Sequence, residues 1–264
     1  MLNPGQRFFI FYIMKTSFFL PLSIIALSAI SAFANCPISS NATASPAQID
    51  QTAIKADSIA APEEKTSAND KYYKLTNEEY KKVADELGID IATMKAVVEI
   101  EAGKSHQGFA APGIPLINFD LTMFKRFMRK AGKSYSKYSG SIAFNRPNTK
   151  KYGSYGKAQW ARLESARKID NDIANRATFW GMFQIGGFNW KQCGCKSLDE
   201  FVERMSASEA EQLELFAQFC INRDLVKYLK AKNWSSFAYH YNGPSYKKRG
   251  YHHRLRKAHQ KHSK

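Results

Sequence analysis

Apolar side chains three and four residues apart share one face of an α-helix, and most of the chain beyond residue 70 is written in that spacing. Thr76 followed by Glu79 is a capping box, and it predicts a first helix ending near Leu87 and Gly88. A second helix is predicted from Asp90 as N-cap to Gly103. On it Met94, Val97, Val98 and Glu101 fall on one face, because seven residues make about two turns. Glu99 shares its side with Lys95, so one glutamate faces the apolar side and the other faces solvent. Further helical signals run from Leu121 to Ala131, Lys157 to about Asp172, Ser197 to Met205, Ser208 to Lys230, and Tyr246 to His259. Little of the chain alternates as a strand does. The Gly-, Ser- and Tyr-rich stretch from Gly132 to Gly156 reads as a loop able to border a cleft. The expected fold class is mainly α, a helical domain with at most a small β-hairpin around Phe179 to Asn189.

The first 70 residues follow a different rule. Met14 and Lys15 precede an apolar run from Phe18 to Ile30, and Ala32-Phe33-Ala34 fits a small-x-small cleavage site. Residues 1–34 are therefore expected to be a signal peptide, with Met14 as an alternative start. A membrane anchor is the competing reading, since Phe8 to Ile13 adds apolar length, but Lys15 interrupts the run. Cys36 faintly resembles a lipidation site, and Asn35 before it argues against one. Residues 35–70 are Ser, Ala, Thr, Asp and Pro with almost no aromatics, too little apolar surface to offset the entropy of ordering. They are expected to be a flexible linker leading to a domain over residues 71–264. Export to the periplasm or beyond follows, with no stable membrane span after cleavage.

Composition narrows the chemistry. A chain of 264 residues with 44% hydrophobic and 13% aromatic content can build a full core. Its formal charge of +16 points, in an exported protein, to an anionic wall or envelope surface rather than to nucleic acid. From Lys247 to Lys264 there are eight Lys or Arg, four His and no acid. Such a run is either a solvated helix end or a tether to anionic cell-envelope polymers. Cys193, Cys195 and Cys220 suggest a disulfide between the Cys193-Gly194-Cys195 loop and the following helix, the partner in the loop left open. No C-x-x-C or H-E-x-x-H occurs, so neither a metal nor a cofactor is expected. A monomer is expected.

Glu101 carries the candidate chemistry. A carboxyl on the apolar side of a helix's last turn is partly desolvated and near the negative end of the helix dipole. Both effects favour the protonated form that a general acid needs near neutral pH. Its alternative role is an ion-paired residue at an amphipathic edge. Asp120 is the candidate second acid, and its alternative role is N-cap of the segment beginning at Leu121.

Downstream of Glu101 come Trp180-Gly181-Met182-Phe183-Gln184-Ile185 and Tyr239-His240-Tyr241-Asn242-Gly243-Pro244. In this order they resemble the lysozyme-like superfamily, where a catalytic Glu at a helix end precedes a G-x-x-Q-I segment and a Y-N-G turn. Residues from about 75 to 260 are similar to the N-acetylmuramidase family of phage endolysins and bacterial cell-wall proteins. Gly108-Phe109, Phe119-Asp120, the block from Phe201 to Phe219 and Trp234 to Ala238 support the match. The chain departs from the family's V-E-S-G-G and F-E-R-H-x-F patterns. It has a longer insert after Glu101, and Leu121 and Thr122 stand where the family has Arg and His.

The resemblance implies a peptidoglycan glycosidase with Glu101 as acid and Asp120 stabilising the oxocarbenium-like transition state or activating water. Gln184 and Asn242 suit sugar binding, because neutral amides both donate and accept. Tyr241 offers a flat apolar face to a pyranose ring, while Trp180 and Phe183 suit the core better. Hydrolysis between N-acetylmuramic acid and N-acetylglucosamine leads. Two alternatives stay open: a lytic transglycosylase with the same acid, and a non-catalytic peptidoglycan-binding module. A cationic membrane-active or nucleic-acid-binding protein would explain the charge but leave Glu101, Gln184 and Asn242 unexplained.

Overall fold

The computed structural model describes residues 70–72, 74–102 and 107–264, all within one unit of the chain. The expected signal peptide, Cys36 and all but the last residue of the expected linker lie outside the described residues. Helix α1 (Asn77–Leu87) begins with the predicted capping box, Thr76 accepting from Glu79 N–H and Glu79 from Thr76 N–H. It ends at Gly88, whose φ of 62° is the left-handed stop a glycine adopts at low cost. Helix α2 (Ile91–Glu101) follows at once, with Asp90 Oδ1 accepting from Thr93 N–H at 2.6 Å. Its buried face contains Met94, Val97, Val98 and Glu101, as the phase requires.

Two small antiparallel sheets come next. Strands β1 (Phe109–Ala111) and β2 (Ile114–Pro115) form a hairpin. Strand β3 (Ile117–Phe119) pairs with β4 (Thr178–Trp180), which pairs with β5 (Ile185–Gly186). The expected hairpin is thus present as β4–β5, but the strands are more numerous than periodicity revealed. Each spans two or three residues, too few for an alternation to register.

Between β3 and β4 run α3 (Leu121–Lys130), α4 (Thr149–Tyr152), α5 (Tyr155–Arg167) and α6 (Asn171–Arg176). The predicted helix from Lys157 to Asp172 is two helices, because Asp170 caps a new one through Ile173 N–H at 2.9 Å. After β5 come α7 (Leu198–Ala207), α8 (Glu209–Asn222), α9 (Val226–Lys230), α10 (Trp234–Asn242) and α11 (Tyr251–His262). Predicted as one from Ser208 to Lys230, the helix breaks at Asp224, whose φ is 55°. Helix α10 was not read from the sequence, since Asn and Ser at its start and Gly243-Pro244 at its end suggest a turn.

One expectation needs correction. Cys193, Cys195 and Cys220 are free buried thiols, and no disulfide joins them among the described residues. They pack as small apolar side chains. Burial raises all three thiols above their usual range, so they are held as thiols and not thiolates. The C-terminal run forms the last helix, starting five residues later than the predicted Tyr246 and ending at His262. Helix α11 lays Tyr251, Leu255 and Ala258 against the domain, Leu255 fully buried, and keeps Arg254, Arg256 and Lys257 exposed. Burying a leucine of this kind contributes about 1.5–3 kcal/mol.

Candidate active site

Glu101 is the last residue of α2, and Asn242 is the last of α10. Asn242 Nδ2 donates to Glu101 Oε1 at 3.0 Å, and both side chains are only 7% exposed. Two residues 141 apart in sequence thus meet at the ends of two helices. The Asn242 Oδ1 atom is buried with no hydrogen-bond partner among the described residues. Such an acceptor is costly to leave unsatisfied unless a further donor uses it. The neighbouring Tyr241 hydroxyl and the Cys220 thiol are both pushed up, first by burial and then by negative charge, that of Glu101 among it.

Tyr241 is corrected from the role its aromatic face suggested. Its ring is 2% exposed, stacked 5.5 Å from Phe237 and edge-on to Phe216 and Phe219, which leaves no flat face for a sugar. Its hydroxyl donates to Phe183 O at 2.9 Å. That bond ties α10 to the turn between β4 and β5, so Tyr241 sets where Asn242 stands.

The same turn contains Gln184, half-buried, with φ of 50°. Left-handed backbone at a non-glycine residue is strained, and it is stabilised here by Gln184 Nε2 donating to Gly181 O at 2.8 Å. Phe183 and Trp180 are core residues as expected, Phe183 stacked 4.2 Å from Phe216.

Asp120 follows β3 directly and caps α3, its Oδ1 accepting from Met123 N–H at 2.9 Å. Glu99 departs from the solvent-facing role its phase suggested. It accepts from Lys261 Nζ at 2.9 Å and His262 Nε2 at 2.8 Å, so the end of α11 covers it. Burial would raise this carboxyl, but the two donors outweigh it and hold it below the usual range. At the other end of α2, Asp90 meets Lys232 Nζ at 3.0 Å and His259 Nε2 at 3.3 Å. Helix α11 is therefore clamped to both ends of the helix that carries Glu101.

Two polar residues escaped the sequence reading. Glu209 and Gln212, on the first two turns of α8, are 1% and 0% exposed. Ser208 with Glu211 reads as an ordinary helix start, and nothing in that pattern separates a buried first-turn acid from a solvated one. Burial, with a smaller push from Glu79 and against a hydrogen bond from Gly108 N–H, raises the Glu209 carboxyl to about 7. Among the described residues, no group of three or more His, Cys, Asp or Glu could hold a metal.

The muramidase family model, N-acetylmuramidase, matches residues 90–263, a span that includes α2, the β4–β5 turn and α11. The crystal structure of the Burkholderia AP3 phage endolysin is similar at 34% identity and a TM-score of 0.62, over 72% of this chain and 71% of that one. No curated protein matches. On the family match and the mainly helical fold with small antiparallel sheets, the chain belongs to the N-acetylmuramidase family and is a lysozyme-like glycoside hydrolase.

Proposed function

We propose that the protein hydrolyses peptidoglycan glycan strands between N-acetylmuramic acid and N-acetylglucosamine, with Glu101 as the general acid. The observation that carries this reading is the 3.0 Å hydrogen bond from Asn242 to Glu101 Oε1. The amide holds one carboxyl oxygen in a fixed position at the end of α2, which a general acid needs in order to meet the glycosidic oxygen. The protonated carboxyl gives its proton to the glycosidic oxygen as the anomeric C–O bond breaks. Water then captures the oxocarbenium-like sugar and passes a proton back to the Glu101 carboxylate, which restores the acid. Asn242 and Gln184 are assigned to the sugar's amide and hydroxyl groups, since neutral amides both donate and accept.

The outer face of α11 is assigned to anionic envelope polymers, with Arg254, Arg256, Lys257, Lys261 and Lys264 all exposed. Work on a wall outside the cytoplasm also fits the expected export.

Digestion of purified peptidoglycan with mass analysis of the fragments tests the reaction. Reducing muramic ends, absent with Glu101→Gln, are the expected result. Anhydro-muramic ends would assign a transglycosylase, and intact sacculi a binding module.

A further inference from the structure

The block from Phe201 to Phe219 contains Glu209 and Gln212, whose buried polar groups the proposed chemistry does not use. Gly108, seven residues after Glu101 in the chain, donates its N–H to Glu209 Oε1 at 2.7 Å. Gln212 Nε2 faces the Gly108 carbonyl at 3.4 Å and donates to Met205 O at 2.8 Å, while its Oε1 accepts from Met182 N–H at 2.8 Å. Backbone bonds close the same ring, Leu116 N–H to Gly108 O at 2.7 Å and Gly181 N–H to Leu116 O at 2.8 Å. From Met182 the path continues through Phe183 O to the Tyr241 hydroxyl, and from Asn242 to Glu101. The fit leaves no slack. A Cβ on Gly108 or Gly181 would stand 2.2 or 2.6 Å from Gln212 Oε1, so both positions exclude any side chain while Gln212 keeps this place.

We propose that Glu209 and Gln212 are positioning residues of the hydrolase site. From the first turns of α8 they fix Gly108, downstream of Glu101, against the turn that seats Tyr241 and Asn242. Glu101 and Asn242 sit on separate helices, and this brace sets the Asn242 side of the pair through the turn that holds the Tyr241 hydroxyl. A displacement near 1 Å in such a pair costs up to about 100-fold in rate. The inference rests on Glu101 being the acid.

The test uses the full chain and three variants, Gln212→Met, Glu209→Ala and Glu209→Gln, each assayed on soluble peptidoglycan fragments well below its melting temperature. Turnover is expressed per folded molecule. The expected result is a fall in kcat of about 10- to 100-fold for Gln212→Met and Glu209→Ala, with KM nearly unchanged. Glu209→Gln, whose amide carbonyl still accepts from Gly108 N–H, should restore kcat to within about threefold of the parent.

The side-chain amide resonances of Asn242, which report its bond to Glu101, should shift in the two damaging variants and return in Glu209→Gln. Should Gln212→Met fail to fold, Glu209→Ala decides alone. Parental kcat with unmoved Asn242 resonances in a folded variant would overturn the brace. An active Glu101→Gln variant overturns the acid assignment instead, and the Asn242 resonances then judge the brace by themselves.

Discussion

Asn242 closes α10 by donating its side-chain amide to Glu101 at the end of α2, a bond that joins the two helices. Glu101→Gln keeps the shape and the acceptor oxygen while removing the transferable proton. Release of reducing ends from peptidoglycan is expected to fall at least ~100-fold, with the melting curve little changed. A variant that keeps a tenth or more of the parental rate would remove Glu101 from the acid's role.

Asp120→Asn separates two roles. Asparagine caps a helix about as well as aspartate, so the bond to Met123 N–H and the melting temperature are expected to persist. The capping bond uses Oδ1 alone, so with Asp120 as the proposed second acid this change is expected to slow turnover while the fold persists. A loss of tenfold or more in the folded variant would assign the charge to the reaction, and turnover within about threefold of the parent would reduce Asp120 to a cap.

Helix α11 should behave as part of the domain. Leu255→Ala is expected to cost about 2–5 kcal/mol, the range for an emptied core position. Glu99→Gln, which weakens the contacts to Lys261 and His262, should cost no more than about 1 kcal/mol and less at high salt. Denaturant melts across a salt series check both. By contrast, charge reversal at Lys257 and Lys264 should weaken adhesion to anionic wall polymers at low salt without lowering the melting temperature. Adhesion that stays unchanged across the salt series would remove the tail from that role.

Glu209 predicts a stability that falls towards alkaline pH. Its carboxyl is raised from 4.5 to about 7, so between those values the folded chain holds a proton that the unfolded chain has released. That contribution is complete below about 4.5 and lost as pH rises through about 7, on the order of 3 kcal/mol in all. The groups facing it are Glu79 and Tyr80 of α1, and the Tyr80 hydroxyl is itself raised to about 12, first by burial and then by Glu209. Glu209→Gln should flatten this slope. Asp90 and Glu99 act oppositely, since their carboxyls are held below the usual range and their stabilisation is lost as pH falls. Unfolding free energies at pH 5, 7 and 8.5 for parent and variant test the assignment, and an unchanged slope would refute it.

Local rules determined much of this protein. The capping box at Thr76 and Glu79, the cap at Asp90, and the helical phase that turns Glu101 inward all act within one or two turns, so a linear reading finds them. The order of Glu101, the Gly181 to Ile185 turn and Asn242 was likewise enough to suggest a lysozyme-like glycosidase. Tertiary contacts decided the rest. Whether a polar side chain is a ligand contact, a brace or a clamp depends on what packs over it, and those partners lie far away in the chain. Tyr241 went to the core because Phe216, Phe219 and Phe237 enclose it. Glu99 left solvent because α11 returns 162 residues later. Glu209 and Gln212 look like surface residues of a helix start until Gly108, a hundred residues earlier, is laid against them. Sequence spacing fixes which face of a helix a residue occupies, but only the folded chain supplies what that face meets.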